Sequence, residues 1–515
     1  MLVCNTRSND PAWQASECAG FCLLLEQQEQ GSVEFSKNAF SYLFFSFILD
    51  AMKNHIPLPN PLKTPSFLQK LQWVADPVGY MEKAAKEYPD IFSAEIVGFG
   101  ESLVFVNHPQ AIQEILTNDR KKFTAPGDLN KILQPLTGDY SIFMLEGDQH
   151  KRHRQLMMPS FHGERMRTYG QLICDLTEKV FSQLPQNLPF SARSATQEIS
   201  LQVILQTVFG VYEGERYQKL KQLLALLLDI FRSPLTSSFL FFPFLQKDLG
   251  AWSPWGRFVR QRQQIDELLY AEIAERREQT NPERIDILSL LMSARDEDGK
   301  PMTDEELRDE LVTLLIAGYE TTASAMAWGL YRIHQNPEVR EKLLQEIDSL
   351  GDHPDPMSIF RLPYLTAVCN ETLRINPVGM VTFPRVAQEP VELLGYKLEP
   401  CTIVVGCIYL VHQREDLYPA PKKFRPERFL ERQFSPFEFM PFGGGVRRCL
   451  GEALAVFEMK LVLATIVSGY QLALADYRPE RPQRRGVTLA PASGVKMVVT
   501  GQRQRQGSPK VIATN

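Results

Sequence analysis

The sequence predicts a mainly α protein with a smaller β-rich lobe. Apolar residues recur at helical spacing along most of the chain from Phe67 onward, while strand-like runs are confined to 91–106, 391–396, 402–407 and 495–499. No repeat period and no long Gly/Ser linker divides residues 52–505, so one domain is expected there. Helices are expected at 163–184, 195–209, 215–231, 255–279 and 337–349. The clearest begins at Thr303, where Thr303-Asp304-Glu305-Glu306 forms a capping box, and stays apolar to about His334. At 1.5 Å per residue it is ~48 Å long, enough to traverse the domain.

Composition narrows the function. The 515 residues are 44% hydrophobic and 23% charged, which supports a large core and excludes a disordered or fibrous chain. Lys plus Arg total 56 against 61 Asp plus Glu, so no basic excess points to nucleic acid. The acidity sits in residues 1–50, with six acids and two bases. Their one apolar run, 39–49, is too short to span a bilayer, and its flanks do not fit a signal peptide. Residues 1–51 are therefore expected to be a non-structural extension, at most a weak interfacial anchor on a cytoplasmic protein, and 506–515 a flexible tail. The eight cysteines (4, 18, 22, 174, 369, 401, 407, 449) lack zinc-ligand or dense disulfide spacing.

One cysteine stands apart. In Phe442-Gly443-Gly444-Gly445-Val446-Arg447-Arg448-Cys449-Leu450-Gly451, the glycines permit positive φ and close approach to a flat ligand, and a helical run follows from Glu452. Backbone N–H groups at that bend are expected to favour the Cys449 thiolate as a sulfur ligand to iron. Phe442 would shield the sulfur and Arg447 would reach an anionic haem edge. A glycine turn with a buried cysteine would explain part of this pattern, but not Phe, Gly, Arg, Cys and Gly at these offsets together. FxxGxRxCxG resembles the signature of the cytochromes P-450, the haem-thiolate monooxygenases, and the resemblance spans about 57–499. It implies a P-450 fold, haem b (iron protoporphyrin IX) bound through Cys449, and insertion of one atom of O2 into an organic substrate.

Three further motifs fit the resemblance. Glu371 and Arg374 lie three apart on one helical face, and Arg428 in Pro426-Glu427-Arg428-Phe429 aligns with the second arginine of a buried structural network beneath the haem. In Ala317-Gly318-Tyr319-Glu320-Thr321-Thr322, midway along the long helix, Thr321 can bond back to the Ala317 carbonyl, and a kink is expected. Gly318 is assigned to the cofactor groove, the lesser alternative being that it merely allows close helix packing. The family's corresponding acid and alcohol imply that Glu320 and Thr321 deliver protons for O–O cleavage. His150 and Arg154, four apart, align with propionate-binding positions, as does Arg385 in Thr382-Phe383-Pro384-Arg385. Lys151 and Arg152 read as a solvated face able to receive an acidic electron donor.

The chain carries no flavin or iron–sulfur motif, so electrons are expected from a separate ferredoxin or flavodoxin and its reductase. A monomer is expected. The presumed pocket roof, 220–245, is rich in Leu and Phe and suits an apolar fatty acid, alkane or terpenoid. Phe239, Phe241, Phe242 and Phe244 surround Pro243 and read either as a hinged lid or as a satellite core. A haem-thiolate isomerase or peroxygenase would share Cys449 but not need Glu320-Thr321. A haem-based gas sensor would need an output module.

Overall fold

The expected capping box is formed: Thr303 Oγ1 accepts from the Glu306 N–H at 3.2 Å, and Glu306 Oε2 accepts from the Thr303 N–H at 2.8 Å. It opens the longest helix of the computed structural model, which describes residues 58–503 except 99–101, 162–164, 211–212, 230–238, 280–283, 285 and 477. The expected extension at 1–51 and the tail at 506–515 lie outside the described residues.

In chain order the helices of nine residues or more are α1 Ser66–Ala75, α2 Pro77–Glu87, α3 Pro109–Thr117, α4 Gly147–Met157, α5 Arg165–Ser182, α6 Ala192–Phe209, α7 Glu215–Asp229, α8 Pro254–Glu278, α9 Asp304–Gln335, α10 Pro337–Asp348, α11 Pro363–Ile375 and α12 Glu452–Gly469. The strands β1 Ile91–Glu95, β2 Ser102–Val106, β3 Phe123–Thr124, β5 Arg385–Ala387 and β8 Ile403–Gly406 form one sheet, ordered β1-β2-β8-β5-β3, with β2 and β8 parallel and Val104 opposite Val404; β4 Pro189–Ser191 is placed below. β6 Val391–Leu393 and β7 Tyr396–Leu398 pair as a hairpin, so the run expected over 391–396 is two strands turned at Leu394-Gly395, both at positive φ. The run at 91–106 is likewise the hairpin β1–β2.

Near the C-terminus, β9 Tyr470–Leu474 and β12 Lys496–Gln502 form one sheet with β4 in the order β4-β12-β9, and β10 Pro482–Arg485 pairs with β11 Thr488–Pro491. α12 is apolar on nearly every face and almost wholly buried, as a helix enclosed by others must be. It packs on α9, where a Cβ at Gly329 would lie 2.7 Å from Leu463. α9 also packs along α6. These two contacts hold α9 between α6 and α12 through the middle of the helical lobe. No helix among the described residues is long and apolar enough to cross a membrane.

Candidate active site

The cysteine loop is built by its glycines. Gly443 and Gly445 take φ of +68° and +64°, and the Cys449 N–H donates to the Phe442 carbonyl at 3.0 Å, closing the turn. A Cβ on Gly444 would lie 2.6 Å from Leu116 on α3, and one on Gly445 2.1 Å from Asp119. The loop thus lies against the end of α3 at a distance only glycine permits. Cys449 is exposed to a water-sized sphere yet enclosed by protein on most sides, the geometry of a recess. The expected low-pKa thiol is corrected here. Burial pushes it up to about 11, and the opposing pulls of the Gly451 N–H, Arg154 and Arg448 are smaller. Cys449 precedes α12 by three residues, and binding of its sulfur to a metal would displace the thiol proton.

Beside the loop lies a concentration of positive charge. Burial, followed by Arg447, Arg154, Arg120 and Arg385, lowers the His150 pKa to about 3, so this imidazole is neutral. Arg447 donates to the Ile142, Ala125 and Leu145 carbonyls at 2.7, 2.6 and 2.6 Å, while its buried Nε has no partner. Burial, then Arg385, lowers its pKa to about 10. Arg154 donates to the Arg448 carbonyl at 2.7 Å, which ties α4 to the loop. Arg385 is more committed than the sequence suggested. Its Nε and Nη2 bind Asp119 at 2.5 and 3.1 Å, its Nη2 reaches the Gly444 carbonyl, and Asp119 Oδ2 also accepts from the Val446 N–H at 2.8 Å. Asp119 and Arg120, unmarked by any sequence motif, are therefore parts of this site. Arg152 is not a free docking charge: it binds Asp296 at 2.6 Å, Glu306 at 2.8 Å and the Pro301 carbonyl.

On the other side of the loop the charges are closed upon themselves. Glu371 and Arg374 are fully buried and joined at 2.6 and 2.8 Å, and Glu371 also accepts from Arg428 Nε at 3.1 Å and from the Arg425 N–H at 2.9 Å. Arg374 donates to the His412 carbonyl, and His412 Nε2 accepts from the Met440 N–H at 3.0 Å. That path ends two residues before Phe442. Burial, then Arg374, lowers the His412 pKa to about 3, which keeps Nε2 an acceptor.

On α9, Thr321 Oγ1 donates to the Ala317 carbonyl at 2.6 Å, as expected, within a helix that runs continuously from Asp304 to Gln335. Gly318 serves packing in this structure: a Cβ there would lie 2.9 Å from Ile204 of α6, and its carbonyl accepts from Ser200 at 3.4 Å. Glu320 is held by α6, accepting from Gln197 Nε2 at 2.6 Å and facing Arg193 at 3.4 Å. Arg193 and Gln197 line a cleft of about 1000 Å³ open to solvent, walled by α6, α7 and the β10–β11 hairpin.

The presumed roof divides. Leu223, Leu224, Leu227 and Phe241 are core, Phe242 is half-buried, and Phe244 and Leu226 are exposed; Phe231 lies outside the described residues and nothing is described of the Leu228 side chain. The aromatic stretch is a helical piece at 239–241 followed by a single 3-10 turn, Pro243–Leu245.

A recess holding a cysteine sulfur, bordered by four guanidiniums acting on a neutral histidine, against which Asp119 and Glu146 are the acids acting on Arg447, fits a dianionic, sulfur-ligated haem. The unpartnered Arg447 Nε gives that fit a specific donor. The fold and this site define a haem-thiolate protein. The cytochrome P450 family model matches residues 58–498, and the chain belongs to that family. It is 35% identical over 437 residues to the "Putative cytochrome P450 135B1" of Mycobacterium tuberculosis, covering 84% of this chain and 89% of that one. It is 32% identical over 452 residues to that organism's "Putative cytochrome P450 135A1", covering 87% and 97%. A cyanobacterial CYP120A1 with retinoic acid bound superposes at TM-score 0.76 and 24% identity, over 87% of this chain and all of the other. The protein is a P450 monooxygenase whose cofactor is haem b with an axial cysteine thiolate.

Proposed function

We propose that Cys449 is the axial thiolate, that Arg447, His150, Arg154 and Arg385 hold the haem propionates, and that Glu320 and Thr321 carry protons to the reacting oxygen. The observation carrying this reading is the surplus of guanidinium groups beside the glycine-bent cysteine loop, with one buried donor left unpartnered. The bound haem supplies oxygen activation, and electron density from a thiolate ligand favours O–O cleavage. Arg447 is pinned by three carbonyls, so its Nε is aimed before any ligand arrives. Neutral His150 donates a hydrogen bond without adding charge, and Asp119 keeps Arg385 oriented while lowering its net attraction. Phe442 packs at the edge of the core and shields the sulfur.

Thr321 spends its proton on the Ala317 carbonyl, which leaves its oxygen to accept from a water; that is the polarity needed to hold a proton donor in place. Glu320, tethered to Gln197 and Arg193 beside the solvent-open cleft, is placed to recharge that water. The substrate is an apolar organic molecule, a fatty acid, alkane or terpenoid, and the retinoic acid of the cyanobacterial neighbour is a molecule of this kind. Electrons come from a separate ferredoxin or flavodoxin with its reductase. Turnover in isotopically labelled dioxygen, with NADPH, ferredoxin and its reductase and a panel of such substrates, is expected to give product with one labelled oxygen. Product formed only with added peroxide, or isomerised without oxygen gain, would contradict it.

A further inference from the structure

Three arginines rank among the largest fully buried side chains: Arg374, Arg385 and Arg484. The first two face the carboxylates of Glu371 and Asp119. Arg484, on β10, has no ion pair among the described residues, and burial alone lowers its pKa, to about 9, so it remains cationic at neutral pH. Its Nε donates to the Gly486 carbonyl at 3.0 Å and its Nη1 to the Trp73 carbonyl at 2.5 Å, while Nη2 is buried without a partner. The guanidinium lies between the faces of Trp73, at 4.8 Å, and Phe241, at 4.5 Å. Two ring faces and two carbonyls solvate a buried cation only in part, and an unmet donor in such a place is costly.

The position gives this deficit a use. Arg484 lies where α1, the β1–β2 turn, the 239–241 segment and the β10–β11 hairpin converge: Trp73 Nε1 donates to the Val97 carbonyl, and a Cβ at Gly98 would lie 3.0 Å from Phe241 and 3.1 Å from Ile132. The side chains recorded at this junction, Trp73 and Phe241 over the guanidinium and Ile132 beside Gly98, are aromatic or aliphatic. A ligand taken up here has an apolar body and one anionic end. Resting on the monooxygenase reading above, we propose that Arg484 is the anchor for the carboxylate of the substrate, so that this enzyme's substrates are long-chain carboxylic acids rather than neutral hydrocarbons. The carboxylate occupies Nη2, and Phe241 yields its place over the guanidinium to admit it.

The test is haem spin-shift titration of the haem-loaded full chain with saturated fatty acids of twelve to eighteen carbons and with their methyl esters. The wild type is expected to bind its best acid at least tenfold more tightly than the matching ester, and in Arg484→Met that ratio falls to about one. Equal affinity in the wild type, binding of none of the acids, or an undiminished ratio in Arg484→Met each overturns the proposal. Since the methionine variant forfeits two hydrogen bonds and could fail to fold, Phe241→Glu provides a second arm. It builds a carboxylate against the guanidinium, and it too is expected to abolish the preference for acids; a preference that survives in it overturns the anchor. Oxidation of esters as readily as acids refutes the anchor and leaves the monooxygenase standing, whereas loss of the ferrous carbon-monoxide band of a thiolate haem refutes the monooxygenase itself.

Discussion

Two groups of arginines flank the cysteine loop, and they differ in whether their charges are spent. Around Glu371 both carboxylate oxygens are occupied, Arg374 meets two carbonyls besides its acid, and the path continues through His412 to Met440. Around His150 four guanidiniums gather, Asp119 neutralises one of them, and Arg447 keeps a buried donor without an acceptor. The same residue type thus does two jobs. A saturated network specifies the geometry of the loop that follows it, while an unsaturated one is complementary to an anion brought from outside.

Removing a member of the saturated group should cost most. Glu371→Ala leaves Arg374 and Arg428 buried without a counter-charge, and a loss of about 3–5 kcal/mol is expected. Thermal denaturation and the yield of haem-loaded protein check this, and a near-normal melting temperature would erase the distinction between the groups. Arg447→Ala should act differently, lowering haem affinity about ten- to a hundredfold by loss of charge-assisted bonds. Haem transfer to an acceptor globin measures it, and retention equal to wild type would show that the unmet donor has no ligand.

The contrast also shows how far the chain could be read. The Phe442–Gly451 loop, the Glu371–Arg374 pair, the acid–alcohol pair and the Thr303 capping box are local patterns, each resolved within about ten residues, and each took the expected secondary structure. Asp119, Arg120 and His412 carry no local pattern. Asp119 matters only because the fold brings it to Arg385, 266 positions away, and to Val446, 327 away. Arg152 was misread for the same reason, since nothing near it in sequence announces Asp296 or Glu306. The thiol's raised pKa was missed because burial, the larger effect, is a property of the assembled wall and not of the loop. Short edge strands such as β3 and β4 pass unnoticed because two or three residues hold no period.

Smaller effects sharpen the picture. Thr321→Ala should bind substrate and consume reductant nearly as before while product per electron falls and peroxide appears, since a water loses its anchor; unchanged coupling would remove Thr321 from the relay. Glu458 of α12 is buried with one oxygen unpartnered, and burial, opposed by a hydrogen bond with Ser200, raises its pKa to about 8. It is protonated in the fold but ionised in the unfolded chain above about 4.5, so it costs stability progressively as pH rises from 4.5 to 8. Glu458→Gln should therefore gain on wild type by on the order of a few kcal/mol at pH 8 and by little at pH 5; melting curves at the two pH values decide it. His150 and His412 act in the opposite sense. Both are held neutral, with pKa values near 3 against 6.5 when unfolded, so the stability they lend is lost as pH falls from about 6.5 towards 3. Phe242→Ala, at a half-buried site against Phe244, should weaken binding of a long-chain substrate with little change in melting temperature; the reverse pattern would make it core.

The most direct measurement is the carbon-monoxide difference spectrum of the reduced protein, wild type against Cys449→Ala. The wild type is expected to show the long-wavelength band of a ferrous haem with a thiolate opposite carbon monoxide, and the variant to lose that band or lose the haem altogether. Retention of the band in the variant would contradict the assignment of Cys449 and with it the account of the loop, the cations and the relay built around it.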